Sequence, residues 1–245
     1  VQIAAERREL PESVGGFYRF RRFINGVIRL LMWIFLRVQV KGLAHVPQQG
    51  PLIVMINHVN FLDALLPLAL IPRDMTAMTK IELMHHVLLG PLLRWYGIFG
   101  VKRGQVDRRA LRKALRVLRA GKALLLSPEG HRSGHGRLQK ARNGIAFIAN
   151  RTDAMILPMA ITGGEHFWEN LKRLRTTQVQ VVLGTPFQFC KASSAQKVSL
   201  DEMTTAAMYQ LARLLPPGYR GAYKELANAS QSLLCFCDEK VTTYV

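Results

Sequence analysis

Two short runs without a single polar residue constrain this chain most: Leu52–Ile56 and Ala123–Leu126, each breaking off into a polar cluster. Four or five apolar residues bounded by turn signals read as a buried strand. Shorter or less pure runs at Val38–Val40, Ile98–Val101, Met155–Ile161 and Val179–Leu183 read the same way. Between them the spacing predicts helices over 63–70, 82–96 (interrupted at Gly90-Pro91), 107–120, Arg142–Asn150 and 200–215. The last stops at Pro216-Pro217-Gly218. The helix at 107–120 is the most clearly amphipathic: Arg108, Arg109, Arg112, Lys113, Arg116 and Arg119 fill one arc, and Leu111, Ala114, Leu115 and Leu118 the other. Strands alternating with helices predict one α/β domain with a mixed, largely parallel sheet flanked by helices. With 245 residues, 49% of them hydrophobic, the chain can fill such a core without staples. The three cysteines (Cys190, Cys235, Cys237) are read as forming neither a disulfide framework nor a zinc site, which fits a reducing compartment.

The N-terminal part is different in kind. Residues 17–38 are aromatic and aliphatic on most faces, but the strongly apolar half runs free of charge only from Leu30 to Leu36, between Arg29 and Arg37. A spanning helix needs about 20 mostly apolar residues. Arginine is costly at the bilayer centre and favourable at the headgroups. With Arg19, Arg21 and Arg22 interleaved with Phe17, Tyr18, Phe20 and Phe23, the segment is expected to be an amphipathic helix lying in a membrane interface. A core helix with snorkelling arginines is the competing reading. No small-residue cleavage pattern follows the apolar run, so no cleaved signal peptide is expected. The expected organisation is a membrane-interface segment over 1–37, a catalytic-type domain over 38–223 and a tail over 224–245 without strong pattern.

The formal net charge is +18 and the pI about 10.6, which points to an anionic partner: nucleic acid, an anionic lipid surface or a phosphorylated substrate. The charge is concentrated. From Gly100 to Arg142 thirteen Lys and Arg face only Asp107 and Glu129.

Four segments could carry chemistry. Asn57-His58-Val59-Asn60-Phe61-Leu62-Asp63 follows directly on a buried strand, where α/β folds place their sites. If a turn leads into a helix there, Asp63 folds back onto one imidazole nitrogen of His58 and leaves the other to take a proton from a hydroxyl. The same spacing is met by a histidine before a helix with an ordinary first-turn aspartate. Ser127-Pro128-Glu129-Gly130-His131-Arg132-Ser133 offers a tight turn and an arginine able to grip phosphate, or a surface turn with a local ion pair. Gly97 through Lys102 and Arg103 ends a strand in two cations. Ile156-Leu157-Pro158-Met159-Ala160 reads as a buried strand with a proline. No nucleic-acid motif and no glycine-x-serine-x-glycine elbow is present. The adjacent His85-His86 pair cannot present two metal ligands on one helical face.

Taken in order, these segments resemble the glycerolipid acyltransferase family, best known for the 1-acylglycerol-3-phosphate acyltransferases. Asn57, His58 and Asp63 match its first motif and Gly97 through Arg103 its second. Pro128, Glu129, Gly130, Arg132 and Ser133 match the third, and Leu157 with Pro158 the fourth. Leu138 to Gly144 and Leu214 to Gly221 are also similar, so the likeness covers about residues 38 to 223. His131 stands where many relatives have threonine, and Ser127 where an aromatic or aliphatic residue is common.

The resemblance implies direct acyl transfer without a covalent acyl-enzyme, from acyl-CoA or acyl carrier protein to the free hydroxyl of a lysophosphatidic acid-type lipid. It assigns His58 as general base and Asp63 as the residue that orients it. Arg103, Glu129, Gly130 and Arg132 are assigned to the acceptor site, with Asn57, Lys102 and Pro158 as further binding residues. Leu83–Phe99 is expected to help line an acyl channel. No metal, cofactor or nucleic acid is expected. The expected place is the cytoplasmic face of a membrane, peripheral or monotopic. The alternatives are the same chemistry on another acceptor (a lysophospholipid, glycerol 3-phosphate or an acylated amino-acid lipid), or a non-catalytic basic protein binding membrane or RNA.

Overall fold

The computed structural model describes residues 12–190 and 198–236, with side chains from Arg19 onward. Strands and helices alternate as α1 (Glu12–Phe35), β1 (Leu36–Lys41), β2 (Leu52–Ile56), α2 (Leu62–Leu70), β3 (Met75–Lys80), α3 (Leu89–Tyr96), β4 (Phe99–Val101), α4 (Arg108–Arg119), β5 (Ala123–Leu126), α5 (Gly144–Asn150), β6 (Met155–Thr162), α6 (Phe167–Lys172), β7 (Thr177–Leu183), β8 (Phe187–Phe189), α7 (Leu200–Leu214) and β9 (Leu234–Phe236). The strands join in the order β1-β7-β6-β2-β5-β3-β4, and β8 pairs with β6 and with β9. From β6 through β2, β5 and β3 to β4 the pairing is parallel, as it is between β1 and β7. The β6–β7, β6–β8 and β8–β9 pairs are antiparallel. The fold is thus α/β with a mixed, mostly parallel sheet.

The wholly apolar runs are explained by burial on both faces. In β2, Ile53 and Met55 join a core layer with Ala110, Ala114 and Leu118 of α4, Ile145 and Ile148 of α5, and Met208 and Leu211 of α7. The alternate residues Leu52, Val54 and Ile56 join the opposite layer, with Ile28 and Met32 of α1, Leu62 and Leu66 of α2, Tyr96 of α3 and Phe167 of α6. Because the parallel strands point the same way, the segments after β2, β4 and β5 all leave from one end of the sheet.

The helix expected over 17–38 ends sooner, at Phe35, and Leu36 begins β1. Ile28 and Met32 are its core contacts, while Phe23, Leu30, Leu31, Trp33 and Ile34 are exposed. The side chains of Phe17 and Tyr18 lie outside the described residues. Two arginines of this helix bond to the rest of the domain. Arg21 donates to the Tyr96 carbonyl and pairs with Asp74, and Arg29 Nε donates to the Ala69 carbonyl at 2.8 Å. Gly97 makes room for this: its φ is +90°, and a Cβ there would collide with the Arg21 guanidinium. None of the described helices is long and apolar enough to cross a membrane. The helix expected over 82–96 breaks earlier than Gly90-Pro91, into a 3-10 turn at Ile81–His85 and then α3. Leu83, Val87, Leu88, Leu89, Leu92 and Trp95 are exposed there, and Trp95 packs edge-on against Phe20 of α1.

The cysteine reading is corrected. Cys190, just after β8, and Cys235, in β9, form a disulfide across 45 residues of chain. Cys237 lies outside the described residues. β9 also gives residues after Tyr223 a place in the sheet.

Candidate active site

His58 stands two residues beyond β2, and α2 starts four residues later. The chain turns sharply enough for the Asp63 carboxylate to reach back under the loop. Asp63 Oδ2 accepts three donors: Nδ1 of His58 at 3.3 Å, the amide of Val59 at 2.5 Å and the amide of Asn60 at 2.7 Å. The Asp63 side chain is 1% exposed and that of His58 13%. Among the described residues nothing hydrogen-bonds to His58 Nε2. The tautomer that carries its proton on Nδ1 satisfies Asp63 and makes Nε2 the acceptor nitrogen of the ring. Of the two readings of the spacing, the structure adopts the folded-back pair.

The His58 peptide is held from both sides. Its N–H donates to Glu129 Oε1 at 3.0 Å, and its carbonyl accepts from the Ser133 amide at 2.8 Å. The other Glu129 oxygen, Oε2, accepts from the Gln139 amide at 2.9 Å. Glu129 is 1% exposed. Both oxygens are thus committed to backbone, and its carboxyl is raised above the usual range, chiefly by burial, with the two amide bonds opposing. It braces the ends of β2 and β5 together. Gly130 follows with φ +75°, and a Cβ there would lie 3.2 Å from the Arg142 side chain, so only glycine turns the loop here without strain.

Asn57 is likewise a brace. It is buried, Nδ2 donates to the Ile161 carbonyl at 2.7 Å and Oδ1 accepts the Ile161 amide at 2.8 Å, closing the end of β2 onto β6. Pro158 sits buried inside β6, opposite Met55, at the point where the strand on its other side changes from β8 to β7. A missing N–H is tolerated at such a junction.

The cations are placed differently. Lys102, Arg103 and Arg132 are all exposed at this end of the sheet. Although its side chain reaches solvent, Arg103 is held below the ordinary arginine range, first by partial desolvation of the guanidinium and then by the charge of Arg132, with Glu82 opposing. Arg103 and Arg132 are thus near enough for their charges to act on one another, and paired guanidiniums suit an anion. The Lys102 amide is tied to Asp107, the N-cap of α4.

Residues beyond the sequence reading complete the frame. Asn60 Oδ1 accepts the Leu62 amide at 2.8 Å and its Nδ2 donates to the Gly164 carbonyl. Tyr219 packs over Gly136, its carbonyl accepts the Leu138 amide at 2.9 Å and its hydroxyl donates to Glu165; burial first, and then Glu165, pushes the phenol up to about 12. The Pro217–Tyr223 stretch thus clasps the loop after β5. Asn60 was visible only as one of the unspecified residues between His58 and Asp63, and Glu165 had no local signal. Among the described residues no group of three or more His, Cys, Asp and Glu could hold a metal ion.

Comparisons with known proteins give the family and the fold. The family model described as Acyltransferase matches residues 37–162, from β1 to the end of β6. A 1-acyl-sn-glycerol-3-phosphate acyltransferase of Limnanthes alba is 27% identical over 143 residues, 57% of this chain and 50% of that one. One of Cocos nucifera is 27% identical over 175 residues, 65% of this chain and 53% of that one. The chain spans about half the length of these relatives. The crystal structure of the 1-acyl-sn-glycerophosphate acyltransferase PlsC of Thermotoga maritima has the same fold, with a TM-score of 0.60 at 24% identity, covering 79% of this chain and 78% of that one. With more than half of its length matched by the family model, across the strands that carry the His58 and Glu129 loops, the chain belongs to the acyltransferase family.

Proposed function

We propose that the chain transfers a fatty acyl group from a thioester, acyl-CoA or acyl carrier protein, to the free hydroxyl of 1-acylglycerol 3-phosphate, giving phosphatidic acid. The observation that carries this reading is the oriented His58, with Nδ1 on buried Asp63 and Nε2 unpartnered. Nε2 takes the proton of the acceptor hydroxyl as its oxygen attacks the thioester carbonyl. Asp63 stabilises the imidazolium, and collapse of the tetrahedral intermediate expels a thiolate that recovers the proton. Arg103 and Arg132 hold the acceptor phosphate.

The reading extends to the membrane. The exposed apolar side chains of α1 and α3 meet where Phe20 packs on Trp95, and they include Trp33 at 80% and Trp95 at 59% exposure. A patch of this kind suits burial in a lipid interface, where the acceptor resides. We propose the cytoplasmic face, where thioester donors are found, with the Cys190–Cys235 disulfide an exception to the reducing state usual there.

The test is transfer of labelled acyl groups to lysophosphatidic acid on anionic vesicles. Product from the wild type, reduced about 10²–10⁴-fold or more by His58→Ala, supports the reading. No product with either donor, from folded and vesicle-bound protein, sinks it.

A further inference from the structure

The outer face of α4 is built against its own stability. Arg108, Arg109, Arg112, Lys113, Arg116 and Arg119 are all exposed, and among the described residues none forms an ion pair. Lys113 alone has another partner, lying over the Phe99 ring. Arg108 and Arg112, Arg109 and Lys113, and Arg112 and Arg116 are four apart, where like charges repel by a few tenths of a kcal/mol each. Arg108 and Arg109 stand in the first turn, at the positive end of the helix dipole, where cations are disfavoured, whereas Arg116 and Arg119 stand in the last turn, where they are favoured. Asp107 caps the helix, and Ala110, Ala114 and Leu118 anchor its inner face, so folding needs none of these charges.

Two observations say what the face is for. It starts at the site: α4 begins five residues after Arg103, and the Asp107 cap holds the Lys102 amide. It also lies on the other layer of the sheet from the apolar patch, since α4 packs with α5 and α7 whereas α1 and the Tyr96 end of α3 pack with α2. When α1 and α3 rest on a bilayer, the outer face of α4 is turned away from it. A nucleotide-sized donor would engage one or two cations at the site rim. This face carries six along 12 residues, about 18 Å.

We propose that the outer face of α4 is the docking surface for an acidic carrier protein that presents the acyl group as a thioester. Charge complementarity with an acidic helix seats the carrier, and Arg108 and Arg109, five and six residues after Arg103, put it at the end of the sheet that carries the site. This rests on the acyl-transfer reading above. Steering of this kind raises the association rate and falls with ionic strength.

The experiment compares donors. Wild type and Arg109→Glu/Arg112→Glu/Arg116→Glu are assayed on phosphatidylglycerol vesicles with acyl carrier protein and, separately, acyl-CoA, and a matching triple lysine variant controls for folding. The expected result is a rise of tenfold or more in KM for the carrier protein, with kcat/KM for acyl-CoA within twofold and the lysine variant near wild type. Anisotropy of labelled carrier protein should show binding to wild type that is lost in the glutamate variant and in high salt. Equal losses with both donors, or loss of vesicle co-sedimentation in the variant, would overturn the proposal and assign the face to the bilayer. A wild type active with acyl-CoA alone sinks the docking proposal and leaves the acyl-transfer reading standing. Inactivity with both donors sinks that reading, while carrier binding by anisotropy still decides the docking surface.

Discussion

Glu129 and His58 are joined through the backbone: the buried carboxylate accepts the His58 N–H at 3.0 Å and so sets the peptide on which the imidazole is mounted. Its other oxygen binds the Gln139 amide, so one side chain fixes the loops after β2 and β5 together. Glu129→Gln keeps the shape and turns an amide N–H toward one of these donors. The expected loss is about 1–3 kcal/mol of stability, with a fall in kcat larger than any rise in acceptor KM, because the phosphate site is untouched.

The pH dependence of that loss is specific. Burial raises the Glu129 carboxyl above the ordinary glutamate value near 4.3. Between the two values the folded chain holds a proton that the unfolded chain has released. This group's contribution to stability therefore falls as pH rises through the window. Glutamine does not titrate, so the wild type's advantage over Glu129→Gln is expected to be greatest at the acid end and to narrow upward. Urea melts of both proteins at steps from about pH 4 to 8 would show it; an advantage that grows with pH contradicts the assignment.

Asp63 does two jobs that mutation separates. Its Oδ2 orients His58 and also satisfies the Val59 and Asn60 amides. Asp63→Ala orphans both amides and is expected to lose about 2–5 kcal/mol of stability as well as activity. Asp63→Asn can keep an oxygen on the amides and spares most of that stability. It removes the negative charge that stabilises the imidazolium, so kcat is expected to fall about 10²–10⁴-fold. Thermal melts beside initial rates distinguish the two; equal destabilisation by both variants would refute the separation.

Arg132 weakens its neighbour in the free protein, since its charge adds to the burial that lowers Arg103. Removing it is expected to leave the thermal midpoint unchanged or slightly raised while the acceptor is lost. Losing a bidentate phosphate contact is worth about 1.5–3 kcal/mol, or roughly tenfold to a hundredfold in KM for lysophosphatidic acid. Arg132→Lys should recover only part of this, because an ammonium cannot form the paired contact. A variant with unaltered acceptor KM would move the phosphate elsewhere.

The sequence was most readable where one physical cause acted alone. β2 and β5 stood out because burial on both faces removes every polar residue, and α4 because its two arcs differ so sharply. β3 was missed: Met75, Thr76 and Ala77 are buried, yet the run mixes threonine and lysine and has no apolar signature. β8, β9 and α6 are too short for a period to emerge. The His58–Asp63 pair was legible as a possibility in its spacing. The braces were not: the partners of Glu129 are backbone amides of His58 and Gln139, and backbone carries no sequence signature. Nor was the Cys190–Cys235 pairing, which depends on β8 and β9 lying side by side.

That pairing yields a separable effect. Cys190 and Cys235 line a cavity with Ala149, Asn150, Asp153 and Ala154, next to the start of β6. Asn57 grips Ile161 at the far end of the same strand, six residues or about 20 Å away. The bridge closes a 45-residue separation, for which the loss of unfolded-chain freedom corresponds to about 2–4 kcal/mol. Cys235→Ser, or a thiol reductant acting on the wild type, is expected to lower the unfolding free energy by that amount, with β9 the first segment to gain hydrogen exchange. Below the lowered midpoint, transfer activity should stay within twofold of wild type, because no described contact of the bridge reaches the His58 loop. Hydrogen exchange followed by mass spectrometry, alongside the rate assay, checks both parts. Activity lost at temperatures where the protein remains folded would mean that the two ends of β6 are coupled.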